Sequence, residues 1–103
     1  MSRTKLENAG VDEFLRGHPA WQLDPSGSTL TRTYGFGAYA DGVAFTMAVA
    51  LAAERRDHHP DVLLGYRRVT VSWSTHDAGG ITLLDCELAA HCDEIAQRFG
   101  PAP

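Results

Sequence analysis

Three of the five histidines have the type and spacing that suit proton transfer. His58 and His59 are adjacent, and His76 follows further along the chain. An imidazole ring ordinarily titrates near pH 6.5, so it can give or take a proton close to neutrality. Several such rings in one pocket can act as the acid and the base of one reaction. Nothing in the sequence marks His18 or His91 as more than an ordinary surface residue.

Two carboxylates can support these rings, although each also has an ordinary structural explanation. Glu54 precedes the histidine pair and can equally be a solvated helix residue. Asp85 belongs to a Thr82-x-x-Asp85 pattern, which is typical of a capping box at a helix start. Three histidines and an aspartate can also bind zinc. However, adjacent histidines tend to point in different directions, unlike the i, i+4 pair of a metallohydrolase helix, so the pattern favours acid–base chemistry without a metal.

The surrounding sequence predicts three helices and four strands in a single domain that spans residues 1–103. Helical periodicity is found in three segments: residues 11–16, 41–56 and about 82–99. Strand patterns form two hairpins: residues 21–24 with 29–36, and residues 62–66 with 69–75, the latter turning at Arg67-Arg68. Hairpins imply an antiparallel sheet. We therefore predict an α+β sandwich, α-ββ-α-ββ-α, with three helices on one face of a four-stranded antiparallel sheet.

These elements predict where the histidines lie. Pro60 disfavours helical geometry at His59, so the His58–His59 pair is expected in a bend after the second helix. His76 is expected just past the last strand. Along that strand, alternate residues should face the core: Val69, Val71 and Trp73. The intervening residues, which should share their side with His76, are Thr70, Ser72 and Ser74.

The helix that begins at Asp41 and ends at Arg56 is apolar on nearly all sides. Its core stripe is predicted to be Phe45, Ala48, Val49 and Ala52. Its opposite face carries no charge and comprises Thr46, Met47, Ala50 and Ala53. A helix of this kind is usually buried on both sides. We therefore predict a homodimer or homotetramer that forms through this helix and through sheet edges.

Composition and charge argue against several classes of partner. The net charge is −4 and the basic residues are scattered, so the sequence lacks the basic patch expected of a protein that binds nucleic acid directly. Residues 43–53, the longest apolar stretch, are too few to span a bilayer, and the first residues lack the apolar region of a signal peptide. Cys86 and Cys92 match no disulfide framework. We expect a cytoplasmic protein with reduced thiols and no membrane partner.

The run from Val49 to Pro60, V-A-L-A-A-E-R-R-D-H-H-P, resembles the signature of the pterin-4a-carbinolamine dehydratases. The similarity continues, at the family's spacing, with Tyr66, with Ser74-Thr75-His76 and with Asp85. Upstream residues that also match family positions are Trp21, Arg32, Tyr34, Phe36 and Phe45. The resemblance thus extends over residues 21–99, which is most of the chain.

The resemblance implies a fold, an activity and a quaternary structure. The implied fold is a four-stranded antiparallel sheet with helices on one face, assembled into dimers and tetramers around the central helix. The implied reaction is loss of water from 4a-hydroxytetrahydropterin to give quinonoid dihydropterin, in the recycling of tetrahydrobiopterin. It uses no metal and no organic cofactor. The pterin can also be a different one, such as one linked to molybdenum-cofactor metabolism.

By the same resemblance, each candidate residue receives a role. His58, His59 and His76 form the catalytic set, with His58 and His76 as candidates for acid and base and His59 orienting the pterin. Glu54, Pro60 and Asp85 support them, and Asp85 can hold the tautomer of one imidazole. The implied substrate-binding residues are Asp57, His58, His59, Ser74, Thr75, His76 and Asp77.

This chain departs from the family pattern at two places, and a second class of function remains open. Val62-Leu63 replaces an aromatic pair, and Gly35 and Gly37 replace bulkier residues, which affects the expected pocket wall and substrate preference. Some relatives are dimerisation cofactors of a homeodomain transcription factor. Others, with degenerate sites, are assembly chaperones of a carbon-fixing enzyme. Because this chain retains all three histidines, the enzyme is favoured, with a second role as a protein-binding cofactor left open.

Overall fold

The computed structural model describes residues 3–102. In this part of the chain the α-helices are α1 (Asn8–Gly17), α2 (Tyr39–Arg55) and α3 (Leu83–Ala96). The strands are β1 (Gln22–Leu23), β2 (Leu30–Phe36), β3 (Asp61–Gly65), β4 (Arg68–Trp73) and β5 (Pro101–Ala102). Short 3-10 helices cover His76–Ala78 and Gln97–Phe99. Of the described helices, none has the length and apolar character needed to cross a membrane.

The strands form one antiparallel sheet in the order β1-β2-β4-β3. This confirms the predicted α+β architecture with two hairpins. The prediction of four strands needs one correction, because β5 pairs with the end of β2. Gly100 adopts a φ of +59°, which turns the chain after the last helix. Glycine tolerates this left-handed conformation because it has no Cβ atom, so Pro101 and Ala102 can return beside Phe36 and Gly35.

Several predicted boundaries also differ from the structure. α2 is shifted towards the N-terminus, from Tyr39 to Arg55 instead of residues 41–56. α1 begins at Asn8, earlier than predicted, and α3 ends at Ala96, where a 3-10 turn follows. The second hairpin turns at Tyr66-Arg67 and not at Arg67-Arg68, because Gly65 pairs with Arg68.

The core lies between one face of the sheet and the helices. As predicted, Val69, Val71 and Trp73 of β4 are buried, and α2 and α3 pack against this side. The residues that α2 and α3 add include Phe45, Val49, Ala53, Leu84, Leu88, Cys92 and Ile95. Ala53 had been predicted for the second face of the helix. It is buried because it follows Phe45 and Val49 at successive four-residue spacings, which place it on the same side.

Both cysteines are unbridged and buried in this core. Burial raises the pKa of the Cys92 thiol to about 12 and that of the Cys86 thiol to about 11. Since the thiolate is the reactive form, both groups are protonated and inert near neutral pH. They therefore contribute to packing and not to chemistry.

A polar cluster around Asp93 joins the first hairpin to α3. The Asp93 carboxylate accepts hydrogen bonds from the Trp21 indole at 3.1 Å, from Arg32 at 2.8 Å and from the Tyr34 hydroxyl. The Arg32 guanidinium also lies 4.3 Å above the Tyr34 ring. Burial, with the adjacent Asp93, raises the pKa of Tyr34, so its hydroxyl stays a donor. Asp93 thus satisfies donors that would otherwise be buried without a partner.

Replacing Asp93 should therefore weaken the fold. Asp93→Ala leaves the indole and the hydroxyl unpaired, and we expect the free energy of unfolding to fall by about 2–4 kcal/mol in urea denaturation. Glu94→Ala is the matched control, because the Glu94 side chain is 77% exposed and its carboxylate lies 3.5 Å from the His91 ring nitrogen Nδ1. Its effect should stay within about 0.5 kcal/mol. Equal losses in the two variants would contradict the structural role of Asp93.

Candidate active site

The end of α2 fixes the backbone of the histidine pair. The His58 amide donates to the Ala53 carbonyl at 3.2 Å, and the Asp57 amide donates to the Glu54 carbonyl at 3.1 Å. These two bonds form a Schellman motif, with Asp57 in the left-handed position at a φ of +48°. Aspartate is one of the few residues besides glycine that visit this conformation. His58 and His59 consequently follow the helix in a bend, as predicted from Pro60.

His58 is turned inward and paired with Asp85. Its Nε2 lies 2.6 Å from the Asp85 Oδ1, and the two residues are 7% and 0% exposed. The imidazole also stacks on the Trp73 indole, with ring centroids 5.7 Å apart. The ring is thus held by a hydrogen bond at one edge and by an aromatic side chain at one face.

Asp85 holds more than the histidine. Its Oδ2 accepts from the Thr75 hydroxyl at 2.8 Å and from the Thr82 amide at 2.9 Å. Thr82 and Asp85 together form the capping box predicted for the start of α3. The carboxylate is therefore surrounded by donors and acts as an acceptor towards His58. It follows that His58 carries its proton on Nε2 when the ring is neutral, which leaves Nδ1 as the acceptor nitrogen.

A tight loop after β4 positions His76. Thr75 pairs with Gly80 in an isolated antiparallel bridge, and the 3-10 turn His76–Ala78 lies between them. The Ala78 amide donates to the Thr75 carbonyl at 3.1 Å, and Gly79 closes the turn at a φ of +77°. This loop leaves the His76 side chain exposed while Thr75, its neighbour, is buried against Asp85.

The two histidine segments meet at one cleft of about 260 Å³. The structure brings together all seven of the predicted substrate-binding residues there. Among residues 3–102, the lining consists of Arg3, Asp57, His58, His59, Ser74, Thr75, His76 and Asp77. His59 is exposed at the edge, with its Nε2 2.7 Å from the Glu54 Oε1. Glu54 thus contacts a catalytic candidate from outside the cleft, as a supporting residue would, whereas Pro60 shapes only the bend.

Arg3 is the lining residue that sequence reasoning missed. Its guanidinium lies 3.3 Å from the His58 Nδ1 and donates to the Asp57 carbonyl at 2.8 Å. Arg3 is 55 positions from His58 in the chain and belongs to none of the motifs discussed above. No sequence signal could have identified it, because its position depends on how the segment that begins at Arg3 folds over the cleft.

Other residues singled out from the sequence lie elsewhere. Tyr66 is 75% exposed in the β3–β4 turn, where the Arg67 guanidinium lies 5.1 Å from its ring. Neither it nor the residues that depart from the family pattern line the cleft; these are Gly35, Gly37, Val62 and Leu63. Within residues 3–102, no group of three or more His, Cys, Asp or Glu side chains is arranged to hold a metal ion.

The arrangement suits acid–base chemistry on a small molecule. Three imidazoles face one cleft, and one of them has a fixed tautomer with its acceptor nitrogen on the cleft side. Rings in such positions can remove a proton from one atom of a ligand and deliver a proton to another. The fold and the cleft together thus define a small α+β protein in which three histidines line one cleft.

Residues 4–95 match the family model described as Pterin 4 alpha carbinolamine dehydratase, and the chain belongs to this family. A relative from Rhodospirillum rubrum is 38% identical over 88% of this chain and 95% of its own length. Another, from Afipia carboxidovorans, is 46% identical over 80% of this chain and 82% of its own length. Both carry the name "Putative pterin-4-alpha-carbinolamine dehydratase". The resemblance noted from the sequence is therefore confirmed.

Two solved structures are similar in fold. A transcriptional coactivator/pterin dehydratase from Brucella melitensis superposes with a TM-score of 0.85 at 33% identity, covering 90% of this chain and 99% of the other. A pterin dehydratase-like protein, described as a RuBisCO assembly factor in the alpha-carboxysome, gives a TM-score of 0.64 at 26% identity, over 75% of this chain and 89% of the other. The family fold thus occurs in proteins described by different functions.

The role of Asp85 as a tautomer-holding residue can be tested by Asp85→Asn. Three donors surround Oδ2: the Thr75 hydroxyl, the Thr82 amide and, at 3.2 Å, the Thr82 hydroxyl. They should keep the amide oxygen on their side, so the amide nitrogen should face His58. A donor at this place favours an unprotonated Nε2, and the His58 proton should move to Nδ1. Nitrogen-15 NMR of the neutral ring reads this change directly. We also expect a loss of about 1–3 kcal/mol in the free energy of unfolding.

Asp77→Asn is the matched control for this substitution. It removes a carboxylate from the same cleft, but Asp77 is exposed and, among the described residues, its side chain is hydrogen-bonded to no histidine. The nitrogen-15 signals of His58 and the free energy of unfolding of Asp77→Asn should match those of the unsubstituted protein. An unchanged His58 tautomer in Asp85→Asn would contradict the assignment made from the geometry.

Proposed function

We propose that this chain dehydrates 4a-hydroxytetrahydropterin to quinonoid dihydropterin by histidine general acid–base catalysis, in the recycling of tetrahydrobiopterin. The observation that carries the proposal is the His58–Asp85 pair, because the second ring nitrogen of His58, Nδ1, faces the same cleft as His59 and His76. Membership of the pterin-4a-carbinolamine dehydratase family supports the substrate class. A cytoplasmic location is part of the proposal, supported by two buried cysteines that form no disulfide.

The reaction divides into two proton transfers. The C4a–oxygen bond breaks, a ring nitrogen loses its proton, and a carbon–nitrogen double bond forms as water leaves. Because the His58 Nδ1 is an acceptor, His58 is the proposed base. His76, exposed on the opposite segment of the cleft, is the proposed acid that protonates the departing hydroxyl. His59 and the carboxylate of Asp57 would orient the pterin, and Ser74, Thr75 and Asp77 would complete the binding surface.

The exposed apolar side of α2 supports a homo-oligomer. Met47 and Leu51 are 60% and 58% exposed, and Ala44 and Ala50 next to them are exposed as well. An apolar patch on a helix of a small domain is more stable when a partner covers it. A second copy of the chain is the proposed partner. The two similar solved structures are described as a coactivator and as an assembly factor, so a heterologous protein is the alternative partner.

The proposed activity can be tested with a hydroxylase reaction that accumulates the 4a-hydroxy intermediate. Its decay is followed by ultraviolet absorbance with and without the protein. We expect the unsubstituted protein to accelerate the decay, and His58→Ala and His76→Ala each to lower kcat/KM about 10²–10⁴-fold, because each removes one proton-transfer group.

His91→Ala is the control, since His91 lies on α3 away from the cleft and contacts Glu94. It should retain full activity. The proposal fails if the unsubstituted protein gives no acceleration, or if a variant with both His58→Ala and His76→Ala accelerates the decay equally.

If α2 forms the subunit interface, the substitution Leu51→Glu should lower the molecular mass of the assembly in solution. A carboxylate at this place would have to be buried in the interface without a partner, so the oligomer should dissociate towards monomer. Light scattering after size exclusion measures the mass. Leu83→Glu is the matched control, because Leu83 is 45% exposed on α3 and not on α2. Equal masses for Leu51→Glu and the unsubstituted protein would contradict an interface on this face.

A further inference from the structure

We propose that Arg3 is a specificity-determining residue of the cleft, because it occupies the one His58 nitrogen that a substrate can reach. A substrate must displace the guanidinium before it can give a proton to this nitrogen. The inference rests on the proposed function only for the identity of the ligand. The contact itself is a property of the protein alone.

The two nitrogens of His58 face different surroundings. Nε2 is bound to Asp85 at 2.6 Å and has the Thr75 hydroxyl at 3.4 Å, all of them buried. Nδ1 faces the cleft, and there it meets the Arg3 guanidinium at 3.3 Å. One face of the ring is covered by Trp73. Nδ1 is therefore the only position of the ring at which a ligand proton can be taken up.

Arg3 and a substrate proton compete for one lone pair. A guanidinium has five N–H donors, stays charged and has no acceptor, so its contact with Nδ1 requires that nitrogen to be unprotonated. A ligand N–H or O–H that donates to Nδ1 needs the same lone pair. The two contacts exclude each other, so binding must include the departure of Arg3 from His58.

The first described residues hold Arg3 in place across the cleft. The guanidinium also donates to the Asp57 carbonyl at 2.8 Å, at the left-handed turn that precedes His58. Further along, the Leu6 amide donates to the Ile81 carbonyl at 2.8 Å, and Lys5 pairs with Thr82. The segment thus joins the His58 turn to the start of α3. Because the Arg3 side chain is exposed, its contacts compete with water and can be displaced.

This competition selects the chemistry of the ligand. A ligand that offers an N–H or O–H donor to Nδ1 can replace Arg3, whereas one that offers only acceptors leaves the guanidinium in place. A ring system with a donor at its reacting edge meets this condition, as a 4a-hydroxytetrahydropterin does.

Binding of a pterin that does not react tests the competition. With 7,8-dihydrobiopterin and isothermal titration calorimetry, Arg3→Ala should bind three- to tenfold more tightly than the unsubstituted protein. Arg16→Ala is the control, because Arg16 is an exposed residue of α1 outside the cleft, and its Kd should not change. Weaker binding by Arg3→Ala would make Arg3 a ligand contact and overturn the proposal. An unchanged Kd would overturn it as well.

Acylation of His58 by diethyl pyrocarbonate tests the same contact without any pterin. The reagent attacks an unprotonated imidazole nitrogen, and at His58 only Nδ1 is free of Asp85. Peptide mass spectrometry should show His58 modified at least threefold faster in Arg3→Ala than in the unsubstituted protein, with His91 modified at the same rate in both. Equal His58 rates would overturn the proposal. The His58 acylation rate does not depend on dehydratase activity. A failure of the Arg3 proposal can therefore be distinguished from a failure of the proposed function.

Discussion

The buried carboxylate of Asp85 accepts hydrogen bonds from three segments of the chain, one of which, at His58, is 27 positions away in sequence. It binds His58 after α2, Thr75 after β4, and Thr82 at the start of α3. A carboxylate that is fully removed from water is stable only when hydrogen-bond donors surround it. Burial of the Asp85 carboxylate is therefore favourable only when all three segments are in place. The geometry of the cleft follows from this one requirement, since both histidine segments are tied to the same group.

The sequence was informative wherever the signal was local. The alternation of Val69, Val71 and Trp73 predicted the buried side of β4, because strand geometry alone decides which side chains share a face. The Thr82–Asp85 pair predicted a helix start for the same reason, since a capping box involves residues three positions apart. The cleft residues were found through their spacing in a family motif, and the structure places all seven of them around one opening.

The features that the sequence did not reveal depend on contacts between distant segments. β5 exists only because Pro101 and Ala102 meet the end of β2, and two residues carry too little periodicity to predict a strand. Arg3 reaches His58 because residues 5 and 6 pair with the start of α3. Conversely, Tyr66 matches the family spacing but lies at an exposed turn, so a position in a motif did not imply a position in the cleft.

The double use of Asp85 explains why stability and chemistry are inseparable at this site. The oxygen that caps α3 and the oxygen that orients His58 belong to one carboxylate, so the proton on Nε2 is fixed by the same group that starts the helix. The acceptor character of Nδ1 is then a consequence of folding and needs no further residue to create it. What remains adjustable is access to that nitrogen. Arg3 controls this access from an exposed position, where a substitution can alter binding without disturbing the buried network.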